Sequence, residues 1–169
     1  MHDIIPICRC LGVEVIKKYT VCFTGHRYIP VGEYESISSG LEKTVRELIQ
    51  KGYLFFATGG ALGFDTLAAQ TILKLRDEFP AIKLYLVLPC LTQTRSWKKE
   101  DIDIYEQIKT VADGVTYTSY EYTRGCMFKR NRKLVEMSAL CVCFLRKSTG
   151  GTAYTVKYAR SKNLQIIAL

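Results

Sequence analysis

Long apolar runs are absent from this chain of 169 residues. Charged residues recur at short intervals, so no stretch approaches the ~20 apolar residues that a membrane-spanning helix needs. The first residues also lack the charged segment and the small-residue cleavage site of a secretory leader. Disorder is excluded as well, because 48% hydrophobic and 24% charged residues are typical of a globular domain. The sequence therefore predicts a globular protein of the cytoplasm with no membrane partner.

Several familiar catalytic signatures are also missing. There is no phosphate-binding loop with its lysine, no H-E-x-x-H, no G-x-S-x-G and no strict G-x-G-x-x-G after the first predicted strand. Kinases, zinc proteases, α/β-hydrolases and NAD-dependent dehydrogenases normally carry one of these. Their absence removes support for all four classes of enzyme.

The seven cysteines are an odd number and do not suggest a disulfide framework. Cys22, Cys141 and Cys143 lie in apolar runs, where a thiol is typically a small buried hydrophobe in a reducing compartment. Two C-x-C pairs, Cys8 with Cys10 and Cys141 with Cys143, raise the alternative of zinc. Zinc sites usually combine C-x2-4-C with a second pair of ligands, so the sequence predicts core thiols and no metal.

The net charge of +8 is concentrated in one part of the chain. Residues 1–113 carry 14 basic and 14 acidic side chains, whereas residues 114–169 carry 10 basic and 2 acidic ones. Such an excess forms either a solvated basic face or a surface that meets an anion, such as a nucleotide phosphate or a nucleic-acid backbone. Composition alone leaves both alternatives open.

Hydrophobic patterning predicts strands that alternate with helices. Six apolar runs are typical of strands, and helical stripes lie between them. The strands are predicted at 20–24, 53–58, 82–88, 115–118, 140–145 and 164–169, and the helices near 41–49, 67–75, 97–112, 127–137 and 153–160. Serines at 36, 38 and 39 are available to cap the first helix. No internal repeat or linker interrupts the pattern after residue 18.

Several of these strands are continuous apolar runs, which favours a parallel sheet covered on both faces. The sequence therefore predicts a single α/β domain with a Rossmann-like, doubly wound, mainly parallel sheet of about six strands. We expect the strand order 3-2-1-4-5-6. The domain is predicted to span residues 19–169, with an N-terminal extension over residues 1–18.

Ligands of such sheets bind at the carboxyl ends of the strands. The loops predicted at that edge contain glycines and polar residues, and these are our predicted ligand-binding residues. They are Thr24, Gly25, His26 and Arg27 after the first strand; Gly59, Gly60, Gly63 and Asp65 after the second; Pro89 and Gln93 after the third; Arg130 and Asn131 after the fourth; and Gly150, Gly151 and Thr152 after the fifth. The glycines allow backbone amides to approach a ligand, and a following helix N-terminus favours phosphate.

Three side chains of this set are candidates for more specific roles. Asp65 is either a carboxylate that caps its helix or an acceptor for ribose hydroxyls. His26 and Arg27 are candidate contacts to a phosphate or a base, and with Asp65 they are the candidate catalysts. Arg130 either reaches the pocket or belongs to the basic face. Trp97 lies on an apolar helical stripe, where core packing is the better interpretation.

Taken together, these motifs resemble the YpsA-like family of the SLOG superfamily, which also contains DprA and the LOG phosphoribohydrolases. The motifs that carry the resemblance are Thr24-Gly25-His26-Arg27, Gly60 to Asp65, Pro89 with Gln93 and Trp97, Arg130-Asn131, and Gly150-Gly151-Thr152 with Tyr154-Thr155. The resemblance covers about residues 19–169. It implies a Rossmann-like fold, a pocket for a nucleotide or nucleotide-derived ligand with no required cofactor, and an origin in Gram-positive bacteria or their phages. A homo-oligomer is expected by analogy.

One departure from the resemblance bears on catalysis. LOG enzymes carry P-G-G-x-G-T-x-x-E, and Thr155 stands where their glutamate would be, so a LOG-type hydrolase would lack its acid/base group. We therefore rank nucleotide binding or sensing first, and hydrolysis of an N-glycosidic or phosphate bond second. DprA-like binding of single-stranded nucleic acid is third. It is favoured by aromatic and basic side chains in the same segment, namely Tyr117, Tyr120, Tyr122, Arg124, Phe128, Lys129 and Arg130.

Overall fold

The computed structural model describes residues 16–169. Strands and helices alternate along this part of the chain, as the hydrophobic pattern predicts. The elements are β1 (Thr20–Gly25), α1 (Val31–Gln50), β2 (Phe55–Thr58), α2 (Phe64–Leu75), β3 (Lys83–Leu88), α3 (Lys99–Val111), β4 (Gly114–Tyr117), α4 (Cys126–Glu136), β5 (Leu140–Phe144), α5 (Gly151–Ser161) and β6 (Gln165–Ala168). Most of the predicted N-terminal extension, with Cys8 and Cys10, lies outside the described residues.

All six strands form one parallel sheet in the order β4-β3-β2-β1-β5-β6. This confirms the predicted α/β, Rossmann-like, doubly wound fold. The predicted order 3-2-1-4-5-6 is wrong, because β4 extends the sheet beyond β3 and β5 takes the place beside β1. Burial explains the difference. Every residue of β5 is buried, which suits a central strand, whereas every residue of β4 is at least partly exposed, which suits an edge.

The sheet separates two hydrophobic cores. Helices α1, α2 and α3 cover one face, where the rings of Phe23 and Phe56 stack with their centroids 6.2 Å apart. Helices α4 and α5 cover the other face, where Cys22, Cys141 and Cys143 pack. These three cysteines are free and buried, which confirms that they are core thiols. Three crossover helices lie on one face of the sheet and two on the other. The direction in which successive strands are added to the sheet therefore changes between β1 and β5.

Helix α1 is longer than predicted. It begins at Val31, directly after Pro30, whose φ of −58° is already close to the helical value. The serines at 36, 38 and 39, which were expected to cap the helix, therefore lie inside it. The buried residues Ile37, Leu41, Val45 and Leu48 fall on one face and hold the helix against the sheet.

Two further features of residues 16–169 bear on function. Within this range no helix combines the length and the apolar character needed to cross a bilayer. The same residues place no group of three or more His, Cys, Asp or Glu side chains where they could hold a metal ion.

Each loop from a strand to the following helix opens at one edge of the sheet, so the predicted site residues meet there.

Candidate functional site

A pocket of about 320 Å³ opens at this edge, above the point where β1 and β5 separate. We call it the central pocket. It is lined by Thr24, Gly25, His26, Arg27, Ala61, Asp65, Met127, Arg130, Asn131, Gly151 and Thr152. Nine of the fifteen predicted ligand-binding residues are in this set. The structure thus brings the loops after β1, β2 and β5 together with the first turns of α4.

The floor of the central pocket contains a buried ion pair. Arg130 Nη1 donates to Asp65 Oδ2 at 3.2 Å, and the side chains are 8% and 5% exposed. The amide of Ala61 donates to the same oxygen, also at 3.2 Å. Burial raises the pKa of the Asp65 carboxyl, and Arg130 and the backbone amides of Ala61 and Gly59 oppose that rise. Arg130 therefore points inward rather than joining the basic face, and Asp65 is bound to the protein itself.

The glycines after β2 make this arrangement possible without lining the central pocket. A side chain at Gly59 would overlap the Arg130 guanidinium, so this position leaves room for the ion pair. Gly60 has a φ of +61°, and a Cβ there would lie 2.6 Å from Leu88. Gly63 has a φ of +73°, and its Cβ would overlap the carbonyl of Arg27. These three glycines shape the loop, whereas the sequence argument placed them against a ligand.

The remaining predicted residues outside the central pocket are Pro89, Gln93 and Gly150. Pro89 is buried directly after β3. Gln93 donates from Nε2 to the carbonyl of Gly60 at 2.7 Å and so holds the loop that precedes α2. Gly150, with a φ of +91°, turns the chain into α5, and the space around it is open.

His26 connects two of the loops around the pocket. Its Nε2 accepts a hydrogen bond of 2.8 Å from the amide of Arg146, and its ring packs edge-on against Phe144 with centroids 5.7 Å apart. Burial lowers the pKa of His26, and the positive charges of Lys147 and Arg146 lower it further. The imidazole is therefore neutral, with the lone pair of Nε2 already occupied. A role as general base at that atom would require this contact to break.

Arg27 lies where the central pocket meets a second cavity, of about 640 Å³, which we call the side cleft. The side cleft is lined by Arg27, Thr92, Gln93, Arg95, Ser96, Trp97, Tyr122 and Met127. Arg27 and Met127 line both cavities, so the two are adjacent. The Arg27 side chain is exposed and forms no ion pair with any of residues 16–169.

The side cleft contains residues that the sequence argument missed. Arg95 and Ser96 lie in an irregular loop, where no periodicity marks them, whereas Tyr122 was predicted only as an aromatic contact for single-stranded nucleic acid. Trp97 is half-buried and packs edge-on against Tyr105 with centroids 5.5 Å apart, as a core residue would, yet it also faces the cleft. The only available signal was the length of the connections after β3 and β4, since long ordered loops often carry function.

Two helices begin at the central pocket with their first amides uncapped by side chains. These are α2, after Gly63, and α5, after Gly150. The first amide of α2, that of Phe64, donates to the carbonyl of His26 at 3.1 Å. Helix N-termini carry partial positive charge and donate from their first N–H groups, which favours an anion. Among the residues that line the pocket, Asp65 is the only carboxylate, and it is paired. The site as a whole is electropositive.

The position that carries a glutamate in LOG enzymes is also clear in the structure. Thr155 is 1% exposed, and its hydroxyl donates to the carbonyl of Gly151 at 2.8 Å within α5. The side chain therefore bonds to its own helix. It is absent from the residues that line the central pocket.

Comparison with known proteins finds similarity in sequence to one group and similarity in structure to another. A UPF0398 protein of Bacillus pumilus (strain SAFR-032) is 26% identical over 151 residues, which cover 83% of this chain and 81% of that protein. DNA processing protein A (DprA) of Streptococcus pneumoniae superposes with a TM-score of 0.64 at 18% identity, covering 92% of this chain and 51% of that chain. DprA of Helicobacter pylori, whose structure was described for its single-stranded DNA binding mode, also gives 0.64 at 16% identity, covering 92% and 67%.

The structural likeness shows a shared fold, and the sequence match goes further. The family model of YpsA, described as the YspA SLOG family, matches residues 21–166. This range runs from β1 into β6 and includes every loop that builds the central pocket and the side cleft. The protein therefore belongs to the YpsA family of the SLOG superfamily.

Proposed function

We propose that this protein binds a nucleotide or nucleotide derivative as a binding or sensing protein. The observation that carries the proposal is the convergence of the N-termini of α2 and α5 on one pocket beside the Arg27 guanidinium. At α2 the Phe64 amide already donates to the carbonyl of His26, so the open first amides are those of α5. A phosphate group in the central pocket would accept hydrogen bonds from these amides. The base and ribose would extend into the side cleft, between Trp97 and Tyr122.

Binding is favoured over hydrolysis by the state of the three candidate catalysts. Asp65 is held by Arg130, and His26 Nε2 is occupied by the Arg146 amide. At the position of the LOG glutamate, Thr155 supplies no carboxylate. General acid–base catalysis needs a group that is free to move a proton within reach of the substrate. Arg27 remains available, but an arginine is suited to binding charge rather than transferring protons.

A thermal-shift and calorimetry screen tests the proposal. The panel contains AMP, ADP, ATP, NAD, ADP-ribose and cyclic nucleotides. A ligand present at 100 times its Kd stabilises the folded state by about 2.7 kcal/mol, which raises Tm by roughly 5–10 °C for a domain of this size. Analysis of the bound ligand after incubation shows whether it has been hydrolysed.

The choice of variant follows from the space around each glycine. Gly60→Val would strain a left-handed backbone and collide with Leu88, so loss of binding would not distinguish a filled pocket from a damaged loop. At Gly151 a Cβ would meet nothing closer than Asn131 Nδ2 at 3.9 Å, so Gly151→Val fills the pocket with an intact fold. Gly32→Val makes the same change in the first turn of α1, in open space.

We expect Gly151→Val to abolish the thermal shift and Gly32→Val to retain it. A panel with no hit, or a shift that survives Gly151→Val, would rule out the central pocket as the site. The cytoplasmic location and the homo-oligomeric state remain predictions. Size-exclusion chromatography with light scattering, with and without the ligand that binds, tests the second of these.

A further inference from the structure

A cavity of about 700 Å³ lies on the other side of α4, more than twice the volume of the central pocket. We call it the α4 groove. Its floor is the outer end of the sheet at β4, on the face that α4 and α5 cover, and its walls are α4 and the start of α5. It shares no lining residue with the central pocket. The inward-facing Arg130 and the outward-facing side chains beside it therefore serve different surfaces.

The wall formed by α4 is strongly basic. Lys129, Arg132 and Lys133 line the groove against a single carboxylate, Glu136. Glu136 is engaged, because it accepts a hydrogen bond of 2.7 Å from the hydroxyl of Tyr158. Lys129 and Lys133 are exposed, stand one helical turn apart and form no ion pair with any residue in the described part of the chain. Part of the basic excess of residues 114–169 is thus presented around one concave surface.

Aromatic rings are interleaved with these cations. Phe128 is 45% exposed and packs edge-on against Tyr154, with ring centroids 4.6 Å apart. Tyr154 in turn lies parallel to Tyr158 at 6.3 Å. The Arg132 guanidinium lies over both tyrosines, at 5.8 and 5.9 Å, and its Nε donates to the Tyr154 hydroxyl at 2.5 Å. Arg132 is therefore held in one orientation before any ligand arrives, while Phe128 offers an exposed ring.

We propose that the α4 groove binds single-stranded nucleic acid. The lysines and Arg132 meet the phosphates, and an unpaired base enters the cavity and stacks on Phe128. Cations that follow the backbone, together with aromatic rings that accept bases, are the features by which proteins hold single strands. A duplex would satisfy the cations alone, because its bases are already stacked inside the helix. An acidic peptide would likewise leave Phe128 without a stacking partner.

The experiment measures the fluorescence anisotropy of a labelled oligothymidine of about 16 nucleotides over a range of salt concentrations. Three cations that release counterions from a single strand give a slope of log K against log salt of about −2. Lys129→Gln/Lys133→Gln makes the salt dependence shallower, with a slope of about −0.7, because one cation remains. Phe128→Ala weakens binding by about 5- to 100-fold at constant slope, because it removes stacking and no charge.

The control for net charge is Lys43→Gln/Lys51→Gln, which removes two exposed lysines at α1, on the opposite face of the sheet. It leaves both affinity and slope near those of the unmodified protein. An abasic oligonucleotide of the same length binds as weakly to the unmodified protein as oligothymidine binds to Phe128→Ala. Polyglutamate, the probe for an acidic peptide, competes poorly.

Three results would overturn the proposal. They are equal affinity for oligothymidine and the abasic strand, equal competition by polyglutamate, or loss of oligonucleotide binding with Gly151→Val rather than with Phe128→Ala. The last of these results would show that the oligonucleotide binds in the central pocket. Nucleotide binding is scored separately with the same variants, so failure of the α4 groove and failure of the proposed nucleotide site give different patterns.

Discussion

The buried pair of Asp65 and Arg130 yields a sharp prediction for stability. In Arg130→Met the carboxylate stays buried without its cation, and removing one partner of a buried ion pair costs about 3–5 kcal/mol. For a domain of this size the loss lowers Tm by roughly 6–20 °C. It is a large fraction of the 5–15 kcal/mol that typically separates folded from unfolded protein. Urea unfolding at neutral pH measures it directly.

The double variant Asp65→Leu/Arg130→Met is the critical comparison. It removes both charges and leaves side chains of similar volume, so we expect it to recover most of the stability lost by Arg130→Met. The same coupling extends to Gly59. In the unmodified protein Gly59→Ala is strongly destabilising, because its methyl group overlaps the Arg130 guanidinium. In the Arg130→Met background, where the side chain is flexible and uncharged, the added cost is smaller.

The pH dependence of Arg130→Met gives an independent check. Without Arg130, only the amides of Ala61 and Gly59 oppose the effect of burial on Asp65, so its folded-state pKa lies further above the unfolded value of about 3.9. A raised carboxyl pKa means that the folded state binds the proton more tightly than the unfolded state does. Stability therefore falls as pH rises from the unfolded-state pKa to the folded-state pKa. The deficit relative to the unmodified protein should therefore shrink as pH is lowered from 8 towards 5. A deficit below about 1 kcal/mol, or one independent of pH, would refute the argument.

Two further predictions concern His26 and Thr155. The lowered pKa of His26 means that the unfolded state binds its proton first, so the contribution of His26 to stability begins to be lost as pH falls below about 6.5 and is lost further as pH falls through the lower folded-state pKa. His26→Gln, compared by thermal melting between pH 5 and 8, should remove this part of the pH dependence, and an unchanged profile would contradict it. Thr155→Glu restores the carboxylate of LOG enzymes but buries it inside α5, so we expect a loss of about 2 kcal/mol or more and no phosphoribohydrolase activity; a stable, active variant would show that the position reaches the pocket.

The sequence predicts the elements well but not the strand order. Continuous apolar runs mark β1 and β5 clearly, because almost every residue of these strands is buried, and β3 is marked by its four buried residues. Strand order depends on which strand best tolerates the edge, and that requires comparing β4 with β5 as whole strands. The four residues of β4, with their exposed valine and threonine, favour the edge position. The length of α1 was also missed, since Pro30 marks a helix start less obviously than serines do.

The candidate site was predicted in part for similar reasons. Residues adjacent to strand ends, such as Thr24 and Gly151, are placed by the topology alone. Glycines were harder to interpret, because Gly59 and Gly63 avoid contacts with protein atoms rather than approach a ligand. Tyr122 lies in an irregular loop whose path no local pattern specifies. The sequence also gave no indication that Arg130 faces Asp65, because the pair depends on packing between helices 65 residues apart.

The position of β1 between β2 and β5 has a consequence for synthesis of the chain. When residues up to 117 have emerged from the ribosome, four strands are complete, yet β1 is still an open edge with apolar residues on both faces. Exposed edges of this kind pair readily with other chains. The strand that covers β1 and the helix that completes the central pocket follow only at Leu140–Phe144 and Gly151–Ser161. A ribosome-bound intermediate of this protein therefore exposes the edge of β1 to other chains or to a holding chaperone until β5 has emerged.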